Sequence, residues 1–154
     1  MSSSKPSPAP KELQDFLQPY GKEVTTLFLA TRELVRGTAP NVNELIYDAY
    51  NAVSCAFSYS DRLKDAFCHI AAYREYVNLG FNLGAKLSDP HGLLQGDGLQ
   101  IRHLRINRAA DLRQLGVAQL LKLAVNQGKM LCQDNTHRNE VIIKPASGDK
   151  RRPV

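Results

Sequence analysis

The chain contains no tryptophan, three cysteines and two methionines, and aromatic residues make up only 7% of it. An odd set of Cys55, Cys68 and Cys132, with no C-x-x-C pair, argues against a disulfide framework and a closed zinc site. A reducing cytoplasm is the compartment such cysteine usage fits. No apolar run approaches a membrane span, and Met1-Ser2-Ser3-Ser4-Lys5-Pro6 lacks the apolar stretch of a signal peptide. Charge of one sign is scarce in the body. The formal net charge is +5, but Lys5 supplies one unit, and five cations against three anions after Cys132 supply two more, which leaves +2 for Lys11 to Cys132. The body therefore lacks the excess of positive charge from which nucleic-acid binding builds a concentrated basic face, and that role is not expected. No Ser-His-Asp or Cys-His spacing marks a nucleophile, so nothing in the sequence points to an enzyme.

What is present is ordinary globular material. A hydrophobic fraction of 43% and a charged fraction of 23% over 154 residues suit one soluble domain with a sizeable core and tails. Residues 1 to 10, rich in Ser and Pro, lack apolar surface to bury and are expected to be disordered. The domain is expected over residues 11 to 132, with a mobile polar tail over 133 to 154.

Leu13, Phe16, Leu17, Tyr20, Val24, Leu27, Phe28, Thr31, Leu34 and Val35 recur at helical spacing. Pro19 interrupts them, which predicts a short helix to about Gln18 and a longer one from Gly21 to Arg36, stopped at Gly37. Thr38 and Pro40 sit where an N-cap and a first-turn proline would, and predict a further helix over Pro40 to Tyr47. The period then changes to two, with Val53, Cys55, Phe57 and Tyr59 on one strand face. Strands are expected over Ala66 to Tyr73, Tyr76 to Asn82 and Leu99 to Ile106, with Val77, Leu79 and Phe81 inward. A helix over Ala109 to Gln127, ended by Gly128, closes the domain. Val141-Ile142-Ile143 could add an edge strand. The expected fold is α+β: a two-layer domain with an antiparallel meander of four to five strands, flanked by N-terminal and C-terminal helices.

Between Tyr76 and Ile106 the chain is most distinctive. The run Val77-Asn78-Leu79-Gly80-Phe81, the turn Asp89-Pro90-x-Gly92-Leu93-Leu94, the pair Gly96-x-Gly98 and the following Arg102-His103 are similar to the YdhG-like family of small bacterial domains of unknown function. The resemblance covers about Lys22 to Gln127. One branch of that family is described as an intracellular iron chaperone, a functional counterpart of frataxin. Two positions depart from the family pattern: Gln95 stands where an acidic residue often precedes the glycine pair, and Leu99 where a lysine often follows it.

The outward face of the central strands is expected to collect His69, Tyr73, Tyr76, Asn78 and Asn82. Register decides whether His103 and Arg105, or Arg102 from the alternate face, join them. Aromatic rings with amides and a cation suit a small polar ligand or a protein partner, and a homodimer could bury the same face. The plain alternative is a solvated sheet face. The residues put forward are His69, Tyr73, Tyr76, Asn78, Arg102 and His103. An enzyme would need a deep pocket, with His103 as its best titrating candidate.

No cofactor is expected from the residues themselves. The iron chaperoning that the resemblance implies would need carboxylate oxygens. Glu44 and Asp48, whose spacing of four would put them on one helix face, are the ligand candidates; Asp61 and Asp65 bracket the first hairpin turn. Cys68 and His69 are neighbours on a strand and point to opposite faces, so they do not share a metal. Gly96-Asp97-Gly98 lacks the Gly-Lys-Ser/Thr end of a phosphate loop and leads into a strand, which fits a turn better. Lys150-Arg151-Arg152 could touch an acidic partner.

Overall fold

A computed structural model describes residues 8–48, 52–132 and 139–144 of the chain. Most of the expected N-terminal tail, the C-terminal tail apart from residues 139–144, His137 and the basic Lys150-Arg151-Arg152 cluster lie outside the described residues.

The fold is α+β. Helix α1 (Lys11–Leu17) runs through a 3-10 turn at Pro19 into helix α2 (Gly21–Thr38). Proline in the first turn of the 3-10 segment and Gly21 at φ 82° bend the chain between the two helices. Strands β1 (Asn43–Asp48), β2 (Val53–Ser58), β3 (Cys68–Ala72), β4 (Val77–Phe81) and β5 (Arg102–Ile106) follow, then helix α3 (Leu115–Leu131) and strand β6 (Val141–Lys144). The spatial order is β5-β4-β3-β2-β1-β6. Every pairing is antiparallel except β1 with β6, which is parallel. The sheet thus has six strands and is mixed, where four to five antiparallel strands were expected.

The helix expected over Pro40 to Tyr47 is instead strand β1. Its residues are buried on both faces because α2 and the main core cover one side and the Leu45, Ala56 and Ala66 cluster the other, so it carries no clean alternation to betray it. Thr38, expected to cap that helix, ends α2 by bonding its hydroxyl back to the Leu34 carbonyl at 2.8 Å. Asn41, at φ 63°, then turns the chain into the strand. Gly37 is correspondingly inside α2 and not its stop.

The last helix also differs. Ala109–Arg113 is a 3-10 segment, and α3 continues through Gly128. A Cβ on Gly128 would lie 2.2 Å from the Phe67 ring, so this glycine serves close packing and does not end the helix. The expected fourth strand is shorter than predicted. Leu99 is 97% exposed in a loop, and the Arg102 guanidinium ties that loop by donating to the carbonyls of Gly98 and Ile101.

One face of the sheet meets the helices. Leu13, Leu17, Phe28 and Val35 pack there with Cys55, Phe57, Ile70, Leu79 and Phe81, joined by Leu120, Leu121 and Ala124 of α3. The inward set Val77, Leu79 and Phe81 is buried as expected. A smaller cluster of Leu45, Ala56 and Ala66, with Tyr47 and Ile142 against it, lies on the other face.

Candidate functional site: the outward face of the sheet

Register places His69, Gly80 and His103 in one row across β3, β4 and β5. Ala71, Asn78 and Arg105 form the adjacent row. Alternation puts both rows opposite the buried Val77, Leu79 and Phe81, so they face outward. His69, Asn78 and His103 are half-buried and Arg105 is exposed.

Each group on this face has a definite partner or a definite lack of one. His69 Nδ1 lies 2.9 Å from Asn82 Oδ1, so the ring donates through Nδ1 and Nε2 carries the lone pair. Among the described residues Nε2 makes no hydrogen bond. Burial pushes the His69 pKa down; the Asn82 bond opposes this, while the nearby His103 adds to it. Asn78 Oδ1 is a buried acceptor with no hydrogen-bond partner among the described residues. Beyond it, Tyr73 and Tyr76 stack at 5.1 Å between ring centres at the β3–β4 turn. The turn is closed by the Tyr73 amide, which donates to the Tyr76 carbonyl at 2.9 Å. The Arg105 guanidinium lies 4.0 Å from the centre of the Tyr76 ring, a cation–π contact. Burial, and then the neighbouring Tyr76, raise the Tyr73 pKa.

Of the six residues put forward, the structure brings five to this face: His69, Asn78 and His103 on the rows, and Tyr73 and Tyr76 at their edge. Arg102 does not join them. It shares a row with Phe81, toward the helix side, and packs over Gly84. Arg105 occupies the cation position instead. Gly80 lies between the two histidines in their row. A glycine inside a strand often marks a close approach of another group, and that was the available signal.

The carboxylates proposed for metal sit elsewhere. Glu44 is fully buried on β1 and points at α2. Both of its oxygens are taken by guanidinium groups: Arg32 Nη2 at 2.7 Å and Arg36 Nη1 at 3.1 Å on Oε1, and Arg32 Nε at 2.8 Å on Oε2. Asp48 is 2% exposed on the same inner side. Neither presents an open oxygen to solvent, because the strand faces the core where the expected helix would have faced water. Asp65 is also engaged, accepting from Ser60 at 2.7 Å and from Arg62 at 2.9 Å. Among the described residues no group of three or more His, Cys, Asp or Glu side chains could hold a metal ion.

Cys55 and Cys68 are fully buried thiols, and burial raises both pKa values. They are core residues, inert for redox or metal chemistry in this setting. Two adjoining cavities of about 510 and 560 Å³ lie beside the first half of α2, and neither is lined by His103. No helix among the described residues is long and apolar enough to cross a membrane. No family model, curated protein or solved structure matches the chain.

Proposed function

We propose that this chain is a non-enzymatic binding domain, YdhG-like and two-layered, that takes a small polar ligand on its outward sheet face in a reducing cytoplasm. The observation that carries this reading is Asn78. A buried acceptor left without a partner costs about 1–3 kcal/mol, and Asn78 Oδ1 is such an acceptor. Beside it are His69 Nε2, also without a hydrogen bond, and the Tyr76–Arg105 pair. A ligand that donates N–H or O–H to the amide and the imidazole would satisfy both. The tyrosine shelf offers it apolar contact, and Arg105 offers a charge for an anionic end. Tyr and Arg at the edge of such a face equally suit a protein partner or a second copy of the chain.

A fragment library of small polar molecules, followed by backbone and side-chain amide shifts, tests the reading. Hits that move Asn78, His69 and Arg105 together support it. Hits that gather instead at the α2 cavities, or a library without hits, reject it. Iron chaperoning, which the family resemblance implies, gains no observation from Glu44 or Asp48 in this geometry.

A further inference from the structure

The geometry points to a two-imidazole site, made by His69 and His103 above Gly80, for a nitrogen-preferring first-row transition-metal ion such as zinc, nickel or copper. This uses the same outward face as the reading above and goes beyond the small polar ligand proposed there.

Three features build the site. The first is the row itself. His69 and His103 each pair with Gly80 from opposite sides, so both imidazoles rise from the same face with one residue between them. Neighbouring strands lie about 4.8 Å apart, so the two histidine backbones are roughly 10 Å apart. Any side chain on the middle strand would keep the rings separate. Glycine leaves the gap open.

The second feature is that His69 has moved into that gap. A Cβ on Gly80 would lie 2.1 Å from His69 Nε2 and 2.3 Å from Cε1. Nε2 therefore sits over the middle strand and has covered much of the distance to β5. Only glycine at position 80 permits this.

The third feature is orientation. The Nδ1–H bond to Asn82 Oδ1, at 2.9 Å, fixes the tautomer and leaves Nε2 as a donor of its lone pair. Metal-ligating histidines are held in this way, with the second ring nitrogen bonded to an oxygen of the protein. Imidazole nitrogen suits zinc, copper and nickel. The neighbouring cation, Arg105, is turned over Tyr76. With two protein ligands the remaining coordination positions stay open to water or to a ligand bearing its own donor, so binding is expected to be reversible.

The test is a titration of metal-free, full-length protein with zinc and nickel ions in a non-chelating buffer, followed by heat and by the ¹⁵N resonances of all four imidazoles. One equivalent should bind, with His69 Nε2 and His103 moving together. His103→Gln should weaken affinity at least tenfold while His91→Gln leaves it unchanged. Thermal melts of both variants establish that the fold is intact. Gly80→Ala, which closes the gap, should act like His103→Gln. Absence of binding overturns the inference, as does a response confined to His91 or His137, or unchanged affinity in His103→Gln. If the metal site fails while polar fragments still shift Asn78 and Arg105, the binding face stands without it. If both fail, the outward-face reading falls too.

Discussion

Arg32 and Glu44 hold each other across the interior of the domain, one from α2 and one from β1, at 2.7 and 2.8 Å, with 2% and 0% of their side chains exposed. Arg36 shares the same carboxylate at 3.1 Å and reaches Asn139 Oδ1 at 2.8 Å. One buried anion thus fastens α2 to β1, and through Arg36 to the residue just before β6. The start of β6 is held further by the Asn139 amide on the Asn41 carbonyl and by the Glu140 amide on Asn43 Oδ1. Burial pushes the Arg36 pKa down, and the carboxylate between the two guanidiniums counters that effect.

Removing that anion should be costly. Breaking a buried pair by deleting one partner destabilises by about 3–5 kcal/mol, because the opposite charge is left buried. Glu44→Gln is therefore expected to lower the unfolding free energy by about 3 kcal/mol or more in urea. A loss below about 1 kcal/mol would show the pair to be solvated in solution, as surface pairs are.

Gly128 faces the Phe67 ring from the last turn of α3. On helix propensity alone Gly128→Ala should stabilise by about 1 kcal/mol. Overpacking against a fixed ring costs about 1–3 kcal/mol and is expected to win. A double variant with Phe67→Leu should recover part of the loss, so the two substitutions should be non-additive in a thermal-melt cycle. Additive effects would mean that the ring and the helix do not touch.

Asp65 carries an acid limb. Burial works to raise its pKa, but hydrogen bonds from Ser60 and Arg62 and the charges of Arg62 and Lys64 outweigh it and hold the carboxyl below its ordinary range. A carboxyl depressed in the fold contributes stability above its unfolded pKa, about 3.9, and loses it as pH falls through the lower folded value. Asp65→Asn should therefore narrow the difference in stability between pH 7 and pH 3. Unfolding curves at the two pH values read it directly.

Asn78 should behave as a binding residue and not as a structural one. Its Oδ1 has no partner among the described residues, so Asn78→Ala is expected to melt within about 1 kcal/mol of the parent, or above it. Glu44→Gln, by contrast, should melt well below it. A severe loss at Asn78 would place it in the supporting framework and remove the observation on which the proposed function rests.

Much of this was legible in the sequence because it is local. Leu13 to Val35 repeat at the helical period, and Val77, Leu79 and Phe81 alternate, so α1, α2, β4 and the face that β4 buries could be read without a partner. His69 and Asn78 followed by alternation onto the outward face. The position of Arg102 could not be read in this way. Pairing Gly80 with His103 puts His103 and Arg105 outward and turns Arg102 away, and a shift of one residue would have reversed all three.

Glu44 and Asp48 show most clearly where local pattern runs out. Residues four apart share a face in a helix and share one in a strand as well, so their spacing is the same evidence for either. The sequence by itself determined α1, α2, the body of α3 and the inward residues of the central strands, since periodicity is a property of neighbours. Only the tertiary structure decided that β1 is a strand, that β6 returns parallel beside it, and that Glu44 lies against two arginines and away from water. Each of these depends on a partner far along the chain, and Asn139 bonding Arg36 across 103 positions is information that no local pattern contains.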